Sequence, residues 1–379
     1  MQTINIDELR DRARRRLPRV IFEFIDGGSQ DETTLRANRE DFTRWRFVTR
    51  TLTDVTQRDQ SISLFGQRYA SPLIIAPTGL TGLSSRRGEL AVVRAAEKFQ
   101  LPYCLSTMAT CSIEEVTRET PQPKWFQLYV LRDRGLTRAF IDRAKASRCS
   151  ALVLTVDTKI QGPRERDMRN GFTVPPRFSP ATIFDFARHI SWLLDVGLGP
   201  RIAFKNFENT PAGATDAMTI TQFIAGQYDL SVNWKDVEWF KSVWGGPLLL
   251  KGILNPEDAK LAIAHGADGV IVSNHGGRQL DGAVSAIQAL PAIAEAVGDQ
   301  IEVVLDGGIR RGADVVRARA LGAKACMVGR AWLYGLAAEG QSGVERALEI
   351  LRNEIDATLT LLGHPNFSQI DRRVLVERL

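Results

Sequence analysis

The sequence has few of the residues that hold metal ions or form disulfide bonds. Among its 379 residues are 4 cysteines and 4 histidines. No two cysteines stand at a CxxC spacing, and none stands at a metal-ligand spacing with a histidine. The sequence therefore predicts no metal site and no disulfide framework, and we expect reduced thiols on the cytoplasmic side of a membrane.

Long apolar runs and basic blocks are also missing. No run of about 18 apolar residues is present, the minimum for a membrane-spanning helix, and the first residues do not have the pattern of a signal peptide. Lysine and arginine number 49 against 44 aspartate and glutamate, a net charge of +5. These charges are scattered and are not interleaved with aromatic residues, so nucleic-acid binding is not predicted.

The chain does contain a regular alternation of apolar and amphipathic segments. Hydrophobic residues make up 44% and charged residues 25%, as in globular proteins. Eight short apolar runs are typical of buried parallel strands, at 73–77, 103–107, 125–129, 151–157, 248–252, 269–274, 303–308 and 325–330. Helical periodicity lies between most of them, at 88–99, 135–146, 256–265, 286–297 and 313–321. Eight such repeats predict an α/β fold, a closed (β/α)₈ or TIM barrel.

The segments outside this rhythm define the rest of the organisation. No Pro/Ser-rich linker divides the chain, so we expect one domain over 1–379 with its barrel at about 71–335. An N-terminal extension with a helix at 6–17 precedes the first strand. Ninety residues separate strands four and five where other intervals take about twenty to thirty, which predicts an insertion after strand four at about 177–230.

Polar residues stand at the carboxyl ends of the predicted strands, where barrel enzymes place their catalytic groups. They are Gln127, Tyr129, Thr155, Asp157, Lys251, Ser273, His275 and Arg278. Each alone has an ordinary structural explanation, such as a strand cap or a turn. The set as a whole, with glycines beside His275 that permit close approach of backbone to a ligand, predicts an active site.

Two glycine and arginine pairs follow the last two strands. Asp306, Gly308 and Arg310 come after strand seven, and Gly329 and Arg330 after strand eight. The last two loops of a barrel often bind phosphate through backbone N–H groups and a helix N-terminus. These pairs predict a phosphate-bearing ligand such as flavin mononucleotide (FMN).

Six motifs together point to a family. They are SNHGGRQLDG at 273–282, APTG at 76–79, WFQLYV at 125–130, LTVDT at 154–158, LLKGI at 249–253 and LDGGIRRG at 305–312. On these motifs the chain resembles the FMN-dependent L-2-hydroxy acid dehydrogenases and oxidases, which include glycolate oxidase, L-lactate dehydrogenases and (S)-mandelate dehydrogenase. The resemblance runs from about residue 5 to the last residues.

The resemblance implies catalytic roles for individual residues. His275 would be the base that takes a proton from the substrate, and Asp157 would steady the resulting imidazolium. Arg278 and Arg164 would hold the substrate carboxylate, and Tyr129 would hydrogen-bond to the carboxylate or the 2-hydroxyl.

It also implies how FMN is held. Lys251 would lie near the N1 and O2 atoms of the flavin, where a positive charge stabilises the reduced ring. Contacts to the flavin ring and ribityl chain are implied for Ala76, Pro77, Thr78, Ser106, Gln127, Thr155 and Ser273. Contacts to the ribityl and phosphate end are implied for Asp306, Gly308, Arg310, Gly329 and Arg330.

One position departs from the family pattern. Members commonly have a tyrosine where this chain has Phe24, and its hydroxyl binds the substrate carboxylate. Loss of such a charge-assisted hydrogen bond weakens binding by about 1.5–3 kcal/mol unless another donor replaces it. Two interpretations stay open, a bulkier, aromatic or non-carboxylate substrate and a neutral change. Met108, where the family varies the residue that shapes the pocket, is a further substrate-binding candidate.

The insertion suggests a membrane surface. Residues 177–207 combine apolar faces and Trp192 with basic residues such as Arg177 and Arg188, as interfacial membrane segments do. A lid helix or a subunit contact would have the same composition. The resemblance favours the membrane, because membrane-associated dehydrogenases of the family carry such an insertion. We therefore expect peripheral attachment to the cytoplasmic face of the inner membrane, with a quinone as electron acceptor.

The leading hypothesis is FMN-dependent oxidation of an L-2-hydroxy acid, lactate- or mandelate-like, to the 2-oxo acid. The alternatives are an oxidase that forms hydrogen peroxide, a relative that acts on a larger modified substrate, and a flavin-binding barrel without turnover. The resemblance also implies a homotetramer.

Overall fold

A computed structural model describes residues 3–172, 177–199, 202–208 and 226–378. Its strands are β1 (Trp45–Phe47), β2 (Ile62–Leu64), β3 (Gln67–Tyr69), β4 (Leu73–Ile75), β5 (Cys104–Ser106), β6 (Trp125–Tyr129), β7 (Ala151–Thr155), β8 (Leu248–Ile253), β9 (Gly269–Val272), β10 (Glu302–Asp306), β11 (Ala325–Val328) and β12 (Leu375–Glu377).

Strands β4 to β11 form the barrel. They lie parallel in the order β4-β11-β10-β9-β8-β7-β6-β5, and a parallel bridge between Ile75 and Tyr103 joins the two ends of this sheet. Nearly all of their side chains are buried, because helices cover the outside and the side chains of the strands fill the inside. The predicted TIM barrel is confirmed, and several strands end one or two residues before their predicted limits.

The helices are α1 (Ile6–Arg16), α2 (Arg19–Asp26), α3 (Thr33–Glu40), α4 (Gly88–Phe99), α5 (Ile113–Glu119), α6 (Arg134–Ala146), α7 (Glu165–Arg169), α8 (Pro180–Arg188), α9 (Ile190–Trp192, continued by a π-helical turn at Leu193–Gly197), α10 (Trp234–Trp244), α11 (Pro256–Ala264), α12 (Ala286–Val297), α13 (Gly312–Ala320), α14 (Arg330–Glu339) and α15 (Gln341–Leu362). All five helices predicted between strands are present, each within one residue of its predicted limits.

Side-chain caps fix where the outer helices begin. Asp133 accepts a hydrogen bond from a backbone N–H in the first turn of α6, and Ser285 does the same for α12. At α11, Asn255 is the cap and Pro256 is the first helical residue, where no N–H is needed. Such caps set the lengths of the loops that carry the polar residues.

The N-terminal extension lies against the carboxyl ends of the barrel strands. Asp26, at the end of α2, accepts two hydrogen bonds from Arg10 of α1, at 2.6 and 2.7 Å, and one from the Tyr334 hydroxyl of α14 at 2.7 Å. The Ser29 N–H donates to the Gly277 carbonyl at 2.9 Å. The extension therefore forms part of the barrel mouth.

The insertion packs with one face inward. Trp192 is buried and donates from Nε1 to the Leu83 carbonyl at 2.8 Å, and Asp195 pairs with Arg16 of α1 at 2.5 Å. Asn206 is fully buried and accepts a hydrogen bond from the Ile113 N–H. Of the predicted insertion, 200–201 and 209–225 lie outside the described residues. None of the helices within the described ranges is long and apolar enough to cross a membrane.

Candidate active site

A hydrogen-bonded row of buried side chains crosses the ends of three neighbouring strands. The Ser106 hydroxyl at the end of β5 donates to Gln127 Oε1 at 3.0 Å, and Gln127 Nε2 donates to Thr155 Oγ1 at 2.9 Å. Strand pairing brings these residues together because the carboxyl ends of β5, β6 and β7 lie side by side. All three are among the predicted flavin contacts.

Lys251, at the end of β8, forms a buried ion pair. Its Nζ donates to Asp306 Oδ2 at 2.6 Å and to the Ser273 hydroxyl at 2.9 Å. Burial alone lowers the pKa of Lys251, but the Asp306 and Asp157 carboxylates raise it above its usual value. Burial likewise raises the pKa of Asp306, and the attraction to Lys251 overcomes this and lowers it. The site therefore contains a fixed positive charge.

His275 follows β9 and is oriented by Asp157. His275 Nδ1 lies 3.0 Å from Asp157 Oδ1, which assigns the ring proton to Nδ1 and leaves Nε2 as the basic atom. The second carboxylate oxygen of Asp157 is buried and has no hydrogen-bond partner in the described part of the chain. The structure brings together the two residues that were predicted as the base and its partner.

The backbone of His275 is strained. Its φ is 59°, and Gly276 and Gly277 follow with φ of 65° and 73°. A non-glycine residue in this left-handed region costs about 1–3 kcal/mol, so the surroundings must hold it there. Asn274 and Asn38 do so through two reciprocal amide hydrogen bonds of 2.8 Å. Neither asparagine was predicted from the sequence. The glycines after His275 were the only sequence feature that indicated an unusual turn.

Two arginines lie close together at the mouth. Arg278 is half-buried and donates from Nη1 to the carbonyls of Phe24, at 2.7 Å, and Gly27, at 2.9 Å. Its burial and the nearby cations Arg164 and Arg330 lower its pKa well below the usual value. Arg164 Nε is buried without a partner in the ranges described. Two adjacent cations with unused donors favour binding of an anion.

Phenol and phenyl rings complete the wall of the site. Tyr129 ends β6, and burial raises the pKa of its hydroxyl, which stays neutral and able to donate. Phe24 packs on Phe172 with ring centroids 4.8 Å apart, and the Arg278 guanidinium lies 5.2 Å from the Phe24 centroid. Met108 is half-buried and its N–H donates to the Ser106 hydroxyl. Phe172 belongs to this wall and was not predicted.

The predicted flavin contacts that follow β4 lie beside the end of β11, the last strand of the barrel. The Ala76 N–H donates to the Val328 carbonyl of β11 at 2.9 Å, and Pro77 follows it. The Thr78 hydroxyl lies 2.9 Å from that of Thr81. A side chain placed at Gly329 would meet only the Ala76 Cβ at 3.8 Å. Space therefore lies open between the ends of β4 and β11.

The two predicted phosphate loops differ in how their helices begin. At α13, Asp314 accepts hydrogen bonds from the N–H groups of Arg310 and Arg311, and Glu354 accepts one from Gly312. At α14, the first residue follows Gly329 and no side chain caps the helix. Carboxylates already occupy the start of α13, whereas no side chain of the described residues caps α14, and an uncapped helix N-terminus suits a phosphate.

The arginines of these loops have different contacts. The Arg330 guanidinium donates to the carbonyls of Ile25, Gly27 and Gly276, at 2.8–3.0 Å. These bonds use three of the five guanidinium N–H donors, and the contact of Arg330 with a phosphate stays a prediction. Arg310 Nε is buried without a partner among the described residues. Gly308, two residues before Arg310, has a left-handed φ of 80°.

These features fit FMN. Lys251 supplies a buried cation at one end of the site, and the uncapped α14 and Arg310 Nε supply donors at the other. No group of three histidine, cysteine, aspartate or glutamate side chains that could hold a metal ion occurs in the part of the chain that the structure describes. All four cysteines are buried free thiols.

Comparisons with known proteins agree with this chemistry. Residues 13–377 match the family described as FMN-dependent dehydrogenase. An L-lactate dehydrogenase of Alcaligenes faecalis is 45% identical over 377 residues, 97% of each chain. The crystal structure of the monotopic membrane protein (S)-mandelate dehydrogenase superposes with a TM-score of 0.96 at 38% identity, with both chains fully covered.

A mandelate oxidase crystallised with (S)-2-phenylpropionate is also 38% identical, with a TM-score of 0.83 over 100% of this chain and 99% of the other. The family match spans nearly the whole chain, and the predicted FMN cofactor is confirmed with it. The chain belongs to the FMN-dependent dehydrogenase family and is an oxidoreductase.

Proposed function

We propose that the protein oxidises an L-2-hydroxy acid, lactate- or mandelate-like, to the 2-oxo acid and passes two electrons to a membrane quinone. The observation that carries this proposal is the oriented base His275 beside a pair of arginines with unused donors. A base next to an anion site suits a substrate that has both a carboxylate and an acidic hydrogen on the adjacent carbon.

Each side chain has a defined task in this reaction. Arg164 and Arg278 bind the substrate carboxylate, and the neutral Tyr129 hydroxyl donates a hydrogen bond to the substrate. These contacts present the reacting carbon to His275, whose Nε2 accepts the substrate proton. Asp157 then stabilises the imidazolium through Nδ1.

Lys251 serves the cofactor side of the site. Bound FMN supplies the two-electron acceptor for this oxidation. The Asp306 carboxylate keeps Lys251 protonated in spite of its burial, so a positive charge is present without any rearrangement during the reaction. Fixed charges of this kind stabilise negative charge that develops nearby. Gln127, Thr155, Ser106 and Ser273 present polar atoms at the same end of the barrel.

The aromatic wall favours a larger substrate within this class. Phe24 offers a ring in place of a hydroxyl, and Phe172 extends the same apolar surface. A phenyl group gains contact with such a wall, whereas the methyl group of lactate gains little. We therefore propose that mandelate-like acids bind more tightly than lactate.

Turnover with an artificial dye acceptor tests the substrate class. FMN-loaded protein is given L-lactate, (S)-mandelate or (R)-mandelate, and the 2-oxo acid is quantified. The proposal expects product from the L-acids, none from the R-enantiomer, and a higher kcat/KM for (S)-mandelate than for L-lactate. Absence of 2-oxo acid from every L-acid would contradict the proposed reaction.

The outward face of α8 and α9 supports attachment to a membrane surface. Ile183 and Phe184 are 60% and 64% exposed, and Ile190, Leu194 and Leu198 are exposed beside them. Arg177 and Arg188 add exposed positive charge. An amphipathic surface of this kind suits the headgroup region of a bilayer, and the similar mandelate dehydrogenase is described as monotopic. We place it on the cytoplasmic face of the inner membrane.

The electron acceptor distinguishes this proposal from a peroxide-forming oxidase, which the similarity to a mandelate oxidase keeps as the alternative. Reduced protein is mixed with vesicles that contain a quinone, or with air-saturated buffer. Faster reoxidation by the quinone vesicles supports the dehydrogenase. Rapid reoxidation by oxygen with stoichiometric peroxide would favour the oxidase.

We also propose that the chain forms one domain and assembles as a homotetramer, on the resemblance to its family. Light scattering of the purified FMN-loaded protein tests the assembly, with a particle of four chain masses expected. A monomer at micromolar concentration would contradict it.

A further inference from the structure

The insertion returns to the barrel mouth at Tyr228. This residue forms an isolated antiparallel bridge with Leu131, just beyond β6. The Arg132 N–H donates to the Gln227 carbonyl at 2.8 Å, and the Asp133 N–H donates to Gln227 Oε1 at 3.0 Å. These bonds fix the end of the insertion beside the strand that carries Tyr129.

The pairing directs Tyr228 toward the site. Residues two apart in an extended segment project to the same side, so Tyr129 and Leu131 share a face. Directly paired residues of neighbouring strands also share a face. Because Tyr228 pairs with Leu131, its side chain lies on the same face as those of Leu131 and Tyr129. Leu131 is fully buried, whereas Tyr228 and Tyr129 are half-buried and keep part of their surface open.

Tyr228 lies close to two residues of the candidate site. Burial raises the pKa of the Tyr228 phenol, and the Arg164 guanidinium opposes this rise. Tyr228 in turn adds to the raised pKa of Tyr129. The hydroxyl of Tyr228 has no hydrogen-bond partner within the described ranges. A neutral hydroxyl that can donate a hydrogen bond therefore lies within electrostatic reach of Arg164, the cation proposed to bind the substrate.

Phe24 leaves a gap on this substrate-binding surface. Its ring packs on Phe172 and under Arg278, so it contributes no donor. Arg278 Nη1 also donates hydrogen bonds to the Phe24 and Gly27 carbonyls. A bound carboxylate has about four acceptor positions, so it can accept a hydrogen bond from a phenol in addition to those from the two arginines.

We infer that Tyr228 is a substrate-binding residue whose hydroxyl donates a hydrogen bond to the substrate carboxylate, replacing the donor that Phe24 lacks. This inference rests on the proposed function. Tyr228 binds the carboxylate from the side of Arg164, while Arg278 binds it from the side of Phe24. A hydrogen bond from a neutral hydroxyl to a carboxylate changes affinity by about 10- to 100-fold.

Binding of phenylacetate to the FMN-loaded protein tests this role without turnover. Phenylacetate has the carboxylate but no 2-hydroxyl to oxidise, and its binding is followed by the change in flavin absorbance. For Tyr228→Phe we expect the Kd to rise by about 10- to 100-fold. The Kd of neutral phenylacetamide should change less than about threefold, because no charged acceptor is lost.

Tyr69→Phe is the matched control. The Tyr69 hydroxyl donates to Gln67 Oε1 at 2.8 Å within the β2–β3 hairpin, away from the mouth. The same change of tyrosine to phenylalanine should there leave the Kd of phenylacetate unchanged.

A double variant tests whether one hydroxyl replaces the other. Phe24→Tyr combined with Tyr228→Phe should restore the Kd to within about threefold of the unmodified protein. A double variant as weak as Tyr228→Phe alone would overturn the replacement. An unchanged Kd in Tyr228→Phe would overturn the binding role itself. Because this readout needs no oxidation, failure of the proposed reaction in the dye assay would be seen separately.

Discussion

The barrel mouth and the outer face of α8 and α9 differ in which side chains lack suitable surroundings. The mouth buries polar atoms without partners, and the outer face exposes apolar side chains to water. At the mouth, Asp157 Oδ2, Arg164 Nε and Arg310 Nε are buried without hydrogen-bond partners among the described residues. On the outer face, large apolar side chains such as Ile183 and Phe184 are exposed to water. Unpaired buried polar atoms call for a polar ligand, and a cluster of exposed apolar groups calls for an apolar surface. This difference is the basis of the two separate proposals, a substrate at the mouth and a membrane surface at the outer face.

Replacing the base should break the chemistry of the mouth and leave the outer face intact. For His275→Gln we expect the rate of flavin reduction by substrate to fall by about 10²- to 10⁴-fold, because general base catalysis is lost. Anaerobic stopped-flow absorbance measures this rate. FMN content and vesicle binding should match the unmodified protein, and a fall of less than tenfold would exclude His275 as the base.

Introducing charges on the outer face should weaken membrane binding and leave the chemistry of the mouth intact. For Ile183→Glu combined with Phe184→Glu, we expect binding to vesicles of anionic lipid to fall by about 100-fold or more, since the two apolar side chains together contribute about 3–6 kcal/mol when fully buried. Vesicle cosedimentation measures binding, and turnover with a dye acceptor should be unchanged.

Leu361→Glu combined with Val376→Glu is the control for this face. These side chains are 74% and 51% exposed on another part of the surface. This control should bind vesicles normally. Equal loss of binding in both double variants would show that added negative charge, and not the face of α8 and α9, determines binding.

Asp26 differs from the unpaired polar atoms of the mouth, because it is buried there and has hydrogen-bond partners. Its replacement therefore tests what a paired polar group contributes. Its burial raises its pKa, but Arg10 and Tyr334 lower it from 3.8 to about 2. A lowered folded-state pKa means that this stabilisation is complete above the unfolded value near 4 and is lost as the pH falls toward 2.

For Asp26→Asn we therefore expect the free energy of unfolding at pH 7 to fall by about 2 kcal/mol. Denaturant unfolding between pH 7 and pH 3 measures it. The difference between the two proteins should narrow below pH 4. A difference that stays constant to pH 3 would mean that Asp26 contributes packing and not charge.

The sequence predicts the barrel well because parallel strands buried on both sides require apolar runs, and the helices between them require a periodic apolar face. The same logic predicts the strand-end residues, since parallel carboxyl ends converge. It does not predict α15, which lies beyond the last strand and packs on α14 and α4. Because α15 is not part of a strand and helix repeat, the repeat pattern does not predict it.

Other features depend on contacts between distant segments. Asn38 pairs with Asn274 across 236 residues, and no local pattern encodes this pairing. Trp192 was expected at a membrane surface, yet it is buried against the barrel. Apolar periodicity locates two faces of a helix but does not tell which one packs inward. The Tyr228 position depends on the backbone bridge to Leu131.

Anaerobic stopped-flow mixing of the FMN-loaded protein with (S)-mandelate shows directly whether the mouth oxidises an L-2-hydroxy acid. We expect complete loss of the yellow flavin band in one rapid phase with (S)-mandelate, and no loss with (R)-mandelate. A flavin band that stays unchanged with (S)-mandelate, L-lactate and longer L-2-hydroxy acids would rule out oxidation of this substrate class.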